Sequence, residues 1–126
     1  MRVLLDTHII LWFLCDDQNL SGEAKRIILE PGNAIYVSDI SFWEIQLKVM
    51  SGKLDVDLQA LIHQLPMNNF LILAMNMSHI LTLAKLPSLH KDPFDRMLIA
   101  QALTEPLHLL THDQQVAAYS DAIILV

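Results

Sequence analysis

Cysteine is all but missing from this chain. Cys15 stands alone, so no internal disulfide holds the fold, and with no cysteine partner it is expected to be a small buried hydrophobe. Three glycines and five prolines are too few for collagen-like or linker-rich organisation. Basic residues are also scarce: eight Lys and Arg against fourteen Asp and Glu leave a formal net charge of −6. That balance argues against holding nucleic acid or an anionic membrane by bulk charge alone. A polyanionic ligand would need positive charge from elsewhere. Long apolar runs are absent too, although the mean hydropathy is +0.39. Leu58 to Ala84 carries no Asp, Glu, Lys or Arg, but Gln59, His63, Gln64, Pro66, Asn68, Asn69, Asn76 and His79 interrupt it. Nothing approaches the ~20 apolar residues of a spanning helix. Arg2 and the run from Ile9 to Cys15 imitate a signal peptide, yet Asp6 splits the apolar region and no small-residue cleavage site follows. The expectation is a soluble protein of the cytoplasm, with no membrane role.

What is present is core. Hydrophobic residues make up 53% of 126 residues, and no repeat, low-complexity tract or linker divides them, so residues 1–126 are expected to form one domain. Arg2 to Leu5 is a short apolar run ending at Asp6, followed by a helix-like run to Cys15. Ser21 reads as an N-cap, and Pro31-Gly32 closes the element that it opens. Ala34 to Val37 is a strand candidate. A helix is expected from Ser41 to Gly52, and Leu58, Leu61, Ile62 and Leu65 form an amphipathic face ended by Pro66. Phe70 to Ala74 reads as a buried strand, and Ile80 to Leu86 as helical. Asp92-Pro93 opens a helix that is apolar on nearly every side and must be buried. Leu107 to Leu110 and Ala122 to Val126 are strands, with a last helix between them from Asp113 through Tyr119. Short, unalternating apolar strands separated by helices indicate an α/β fold, a parallel sheet covered on both faces.

In such folds the strand C-termini and helix N-termini share one edge, where ligands bind. Asp6, Glu44, Asp95 and Asp113 all fall on that edge. Glu44 with Ser41 can be a capping box, Asp95 a first-turn acid favoured by the helix dipole, and Asp113 an N-cap. Asp6 has no cap duty in view, and Asp95 lies on a helix with almost no exposed face. Carboxylates gathered closely raise one another's pKa, and a divalent cation resolves the conflict. Oxygen ligands without cysteine or paired histidine suit Mg²⁺ or Mn²⁺ better than zinc. These acids supply −4 of the −6. Two bound ions would cancel that locally and become the phosphate-binding cations, able to activate water against a phosphodiester.

The motifs Val3-Leu4-Leu5-Asp6-Thr7-His8, Ser41-Phe42-Trp43-Glu44-Ile45, His90 to Ala102 with Asp92-Pro93-Phe94-Asp95-Arg96 at its centre, and Leu110-Thr111-His112-Asp113 resemble the four acidic motifs of PIN-domain ribonucleases, most closely the VapC-type toxins of type II toxin–antitoxin pairs. The resemblance spans the chain in order. It implies a five-stranded parallel sheet of order 3-2-1-4-5 and a Mg²⁺- or Mn²⁺-dependent endoribonuclease, toxic through RNA cleavage. A small cognate antitoxin and a homodimer are implied as partners. Asp6, Glu44 and Asp95 would be the principal metal-binding acids, and Asp113 the auxiliary one. Position 8 is His where many relatives carry Ser.

Other residues take lesser roles. Thr7 and Thr111 are candidates to hold a carboxylate or a metal-bound water, and Arg96 to touch a phosphate, an antitoxin or Asp92. The six histidines show no zinc pattern, and only His8 and His112 fall beside the proposed acids. Lys48, Lys53 and Lys91 are candidates for an RNA path. Trp12, Phe13 and Trp43 supply aromatic surface for core or partner, and Met67, Met75 and Met77 are expected to fill core. Two competing functions remain at this level: a haloacid-dehalogenase-like phosphohydrolase, whose second acid this chain replaces with His8, and a non-catalytic partner-binding module.

Overall fold

The computed structural model describes residues 1–126. Its elements are β1 (Arg2–Leu5), α1 (Thr7–Leu14), α2 (Gly22–Leu29), β2 (Ala34–Ser38), α3 (Asp39–Met50), α4 (Leu58–Met67), β3 (Leu71–Leu73), α5 (Met77–Leu83), α6 (Pro93–Thr104), β4 (His108–Thr111), α7 (Gln114–Ala117) and β5 (Ile124–Leu125). All strand pairs are parallel, in the order β3-β2-β1-β4-β5. The fold is the expected one. Successive residues of β1 serve opposite faces of the sheet. Val3 and Leu5 join α1, α2 and α4 through Ile9, Ile10, Ala24, Ile28, Leu61 and Leu65. Leu4 joins the other core, where Met97 to Ala100 and Ala102 of α6 pack with Leu109 and Val116. The α6 helix is buried along Met97 to Ala102, as its all-round apolarity requires.

Several local expectations need correction. The N-cap of α3 is Ser38, whose hydroxyl accepts from the Ile40 amide. Ser41 therefore lies inside the helix and cannot form a capping box with Glu44. The C-terminal signal holds: Ser51 caps α3, and Gly52 follows at φ +76°, a left-handed turn that glycine adopts without strain. Pro66 sits inside α4 rather than ending it, because a proline near the last turn forfeits only its own amide bond while Asn68 closes the helix behind it. The last helix stops at Ala117, short of Tyr119. Cys15 is exposed, not buried, since it is the C-cap of α1 and lies beyond the packed face. Nor is β3 a buried strand. It is the sheet edge, with Ile72 62% exposed. Met67, Met75 and Met77 are likewise exposed and fill no core. No helix is long and apolar enough to cross a membrane.

Candidate metal centre

The sheet's C-terminal edge is assembled around Asp6, which follows β1 directly and is buried. Its two carboxylate oxygens have separate partners. Oδ1 accepts from the Ile9 amide at 2.9 Å, making Asp6 the N-cap of α1, and Oδ2 accepts from the Thr111 hydroxyl at 2.5 Å. Asp6 thus carries the cap duty that its sequence context did not announce. Thr111 in turn accepts from the Asp113 amide at 3.0 Å, so one hydroxyl at the end of β4 joins two of the acids. Thr7 donates to Ser41 Oγ at 3.0 Å, tying α1 to the first turns of α3.

Glu44 emerges from α3 and is 5% exposed. Its Oε2 lies 3.1 Å from Lys48 Nζ one turn along, while its Oε1 is buried without any hydrogen-bond partner. An unpaired buried carboxylate oxygen is costly unless a cation answers it. Asp95 occupies the first turn of α6, whose N-cap is Asp92 through bonds to the Phe94 and Asp95 amides. Asp113 caps α7 through the Gln115 amide and leaves its other oxygen toward solvent and His90.

His90 is the residue that sequence reasoning missed. Its Nε2 lies 2.8 Å from Asp95 Oδ2 and 3.7 Å from Asp113 Oδ2. The expectation that only His8 and His112 flank the acids is therefore corrected. The available signal was its place two residues before the Asp92 cap, where a loop entering a helix can fold back over the first turn. That loop is clamped. Arg96 donates to the carbonyls of Pro87 and His90, and Tyr119 Oη accepts from the Leu89 and His90 amides and from Arg96. Arg96 thus turns away from Asp92, because the loop carbonyls offer it several acceptors at once.

Electrostatic frustration connects the group. Burial pushes Asp95 up to about 6, against the lowering effect of the His90 bond, and the charges of Asp92, Asp6 and Glu44 push it further. Burial also raises Asp6, only partly offset by the Thr111 and Ile9 bonds and His8, with Glu44 adding to the rise. For His90, burial favours the neutral ring, but the bond and charge of Asp95 and the charges of Asp113 and Asp92 outweigh it and raise the pKa overall. Asp6, Glu44 and Asp95 therefore sit within one another's fields, and Asp113 is tied to them through Thr111 and His90. Carboxylate oxygens, one of them orphaned, with a single imidazole and no thiol, fit a divalent cation of the Mg²⁺ or Mn²⁺ kind.

Asp6 and Asp113 line a cleft of about 490 Å³ together with His8, Trp12, Asn19, His112 and Gln114. Trp12 packs between the rings of His8 and His112. A second cleft of about 630 Å³ shares His8 and Trp12 with the first and is lined by Thr7, Lys48 and Lys53, so two of the three nominated lysines border the region and Lys91 does not.

The family model described as PIN domain matches residues 3–122. Twenty-three chains of solved structures match. VapBC2 from Rickettsia felis, bound to a DNA fragment from its promoter, has a TM-score of 0.73 at 17% identity, covering 100% of this chain and 98% of that one. FitAcB from Neisseria gonorrhoeae gives 0.67 at 20% identity over 98% and 96%. VapBC-1 from nontypeable Haemophilus influenzae gives 0.65 at 19% identity over 100% and 97%. Among the curated proteins, none matches.

Proposed function

The chain belongs to the PIN-domain family, and from that premise we propose that it is a divalent-metal-dependent endoribonuclease, the toxin of a toxin–antitoxin pair. PIN domains are typically nucleases. The observation that carries the reading is the buried, partnerless Glu44 Oε1 beside acids whose protons are held by burial and mutual repulsion.

Asp6, Glu44, Asp95 and Asp113 would hold the cation. When bound it supplies positive charge for a phosphodiester and acidity for the attacking water. The chain's own contribution is preorganisation. Thr111 and the Ile9 amide fix both oxygens of Asp6, Lys48 fixes one oxygen of Glu44, and the Asp92 cap fixes the turn carrying Asp95. With a net charge of −6, the protein has little bulk attraction for RNA, so substrate affinity depends on the loaded site and on Lys48 and Lys53 along the adjoining cleft.

The antitoxin partner is supported by neighbours that are themselves toxin–antitoxin complexes, including one from Klebsiella pneumoniae. A homodimer is supported by the exposed apolar side chains Trp43, Leu47 and Met50 on α3 and Met77 and Leu81 on α5, since exposed apolar surface is where protein partners dock. An RNA substrate would favour a cytoplasmic site of action.

The test is RNA cleavage by the purified chain with Mn²⁺ or Mg²⁺, with chelator, and with Asp95→Asn. Cleavage that survives both chelation and the substitution would end the proposal, as would absence of cleavage under every condition alongside tight antitoxin binding.

A further inference from the structure

We infer that His90 is itself a ligand of the divalent cation, so that the centre is a mixed nitrogen and oxygen site and prefers Mn²⁺ to Mg²⁺. The inference deepens the metal-dependent reading above and rests on it. His90 Nε2, Asp95 and Asp113 each present one ligand atom, and these atoms all lie within 4.8 Å of one another. Ligand bonds of about 2 Å place the donors of one cation about 3–4 Å apart; the 3.7 Å from Nε2 to Asp113 Oδ2 lies in that range, and the 2.8 Å to Asp95 Oδ2 is a hydrogen bond that a bound cation would replace by a slight widening. The partnerless Glu44 Oε1, on a side chain whose charge reaches Asp95, is a separate buried carboxylate oxygen at the same rim with no cation against it.

His90 is also held as a ligand must be. The Tyr119 hydroxyl accepts its backbone amide at 2.9 Å, and Arg96 donates to its carbonyl at 3.3 Å, so two side chains fix the peptide units on either side of the His90 Cα. The ring nitrogen that faces the acids is Nε2, and no hydrogen bond to the protein occupies it apart from Asp95. In a purely carboxylate centre a hard ion such as Mg²⁺ competes well. An imidazole shifts selection toward transition ions, because nitrogen is a softer donor than carboxylate oxygen.

The experiment uses the full chain and Mn²⁺ or Mg²⁺ alone, without RNA, so that its failure is separable from failure of the nuclease assignment. Titration calorimetry measures both affinities for the unchanged chain, His90→Ala and His90→Asp, and pulsed electron paramagnetic resonance detects histidine nitrogen coupled to bound Mn²⁺. The expected result is a nitrogen coupling in the unchanged chain that vanishes in both variants. Mn²⁺ affinity should fall by about tenfold or more in His90→Ala, in line with losses on removing metal-site partners, with Mg²⁺ affinity much less affected. His90→Asp should bind both ions with the Mn²⁺ preference lost. Circular dichroism checks that each variant is folded, and the coupling in the unchanged chain decides the question even if one is not. No nitrogen coupling, a coupling that persists in His90→Ala, tighter Mn²⁺ binding on removing the ring, or no ion binding at all would each overturn the inference.

Discussion

Thr111, the last residue of β4, donates its hydroxyl proton to Asp6 Oδ2, the residue just past β1, and by the same oxygen accepts the Asp113 amide. Thr111→Val keeps the shape and removes both bonds inside a buried environment. It should destabilise the metal-free chain by about 1–3 kcal/mol, the cost of stranding buried polar partners, while Thr111→Ser restores most of it. Urea denaturation midpoints check this, and equal stabilities would mean the hydroxyl contributes nothing.

Asp6 combines a cap with a charge, and two substitutions separate them. Asn caps helices as well as Asp, so Asp6→Asn should lose RNA cleavage while its metal-free melting temperature stays level or rises, because one repelling charge is gone. Asp6→Ala should lose cleavage and also about 1–2 kcal/mol of stability with the cap. If Asn and Ala destabilise alike, the cap does not matter.

Acid should stabilise the metal-free chain before it harms it. Asp95 sits near 6 when folded against 3.8 as its ordinary value, so between those values the folded state binds more protons than the unfolded state. Stability therefore falls as pH rises from about 4 through 6. The raised His90 acts in the same direction, its contribution being fully present below 6.5 and lost as pH rises through its folded value. Denaturation series from pH 4 to 8 test the slope, and a saturating divalent ion should flatten it. A slope of the opposite sign without metal would refute the account.

Metal should also stabilise directly. At a concentration one hundred times its dissociation constant, an ion that binds only the folded chain adds about 2.7 kcal/mol. Thermal melts with Mn²⁺ and with chelator should differ by a clear rise, and Asp95→Asn combined with Glu44→Gln should abolish it. A rise that persists in the double variant places the ion elsewhere.

The apolar faces of α3 and α5 should carry self-association. Trp43→Ser with Leu81→Glu changes two exposed side chains and should leave the fold intact while shifting sedimentation from dimer to monomer. A chain that already sediments as a monomer without these changes would remove the dimer.

How far the sequence foretells this molecule depends on whether a feature is local. Strands buried on both faces and a helix apolar all round announce themselves through composition, so β1, β4 and α6 were legible. The Asp92-Pro93 start was equally plain, because capping chemistry is written in adjacent residues. The edge position of β3 was not, since an apolar run reads alike at the centre and the rim of a sheet until neighbours are known. Ser38 displaced Ser41 as the α3 cap because two serines compete and only the strand's end decides between them. His90 offered only its place just before the Asp92 cap, because its approach to Asp95 is created by a loop pinned to Tyr119, far along the chain.

The central strand lies between neighbours from both ends of the chain, and the bond between residues 6 and 111 spans a separation of 105. During synthesis the acid at the beginning waits for the threonine near the end. A product that stops before β4 therefore leaves Asp6 without its Thr111 bond and β1 with one edge unpaired.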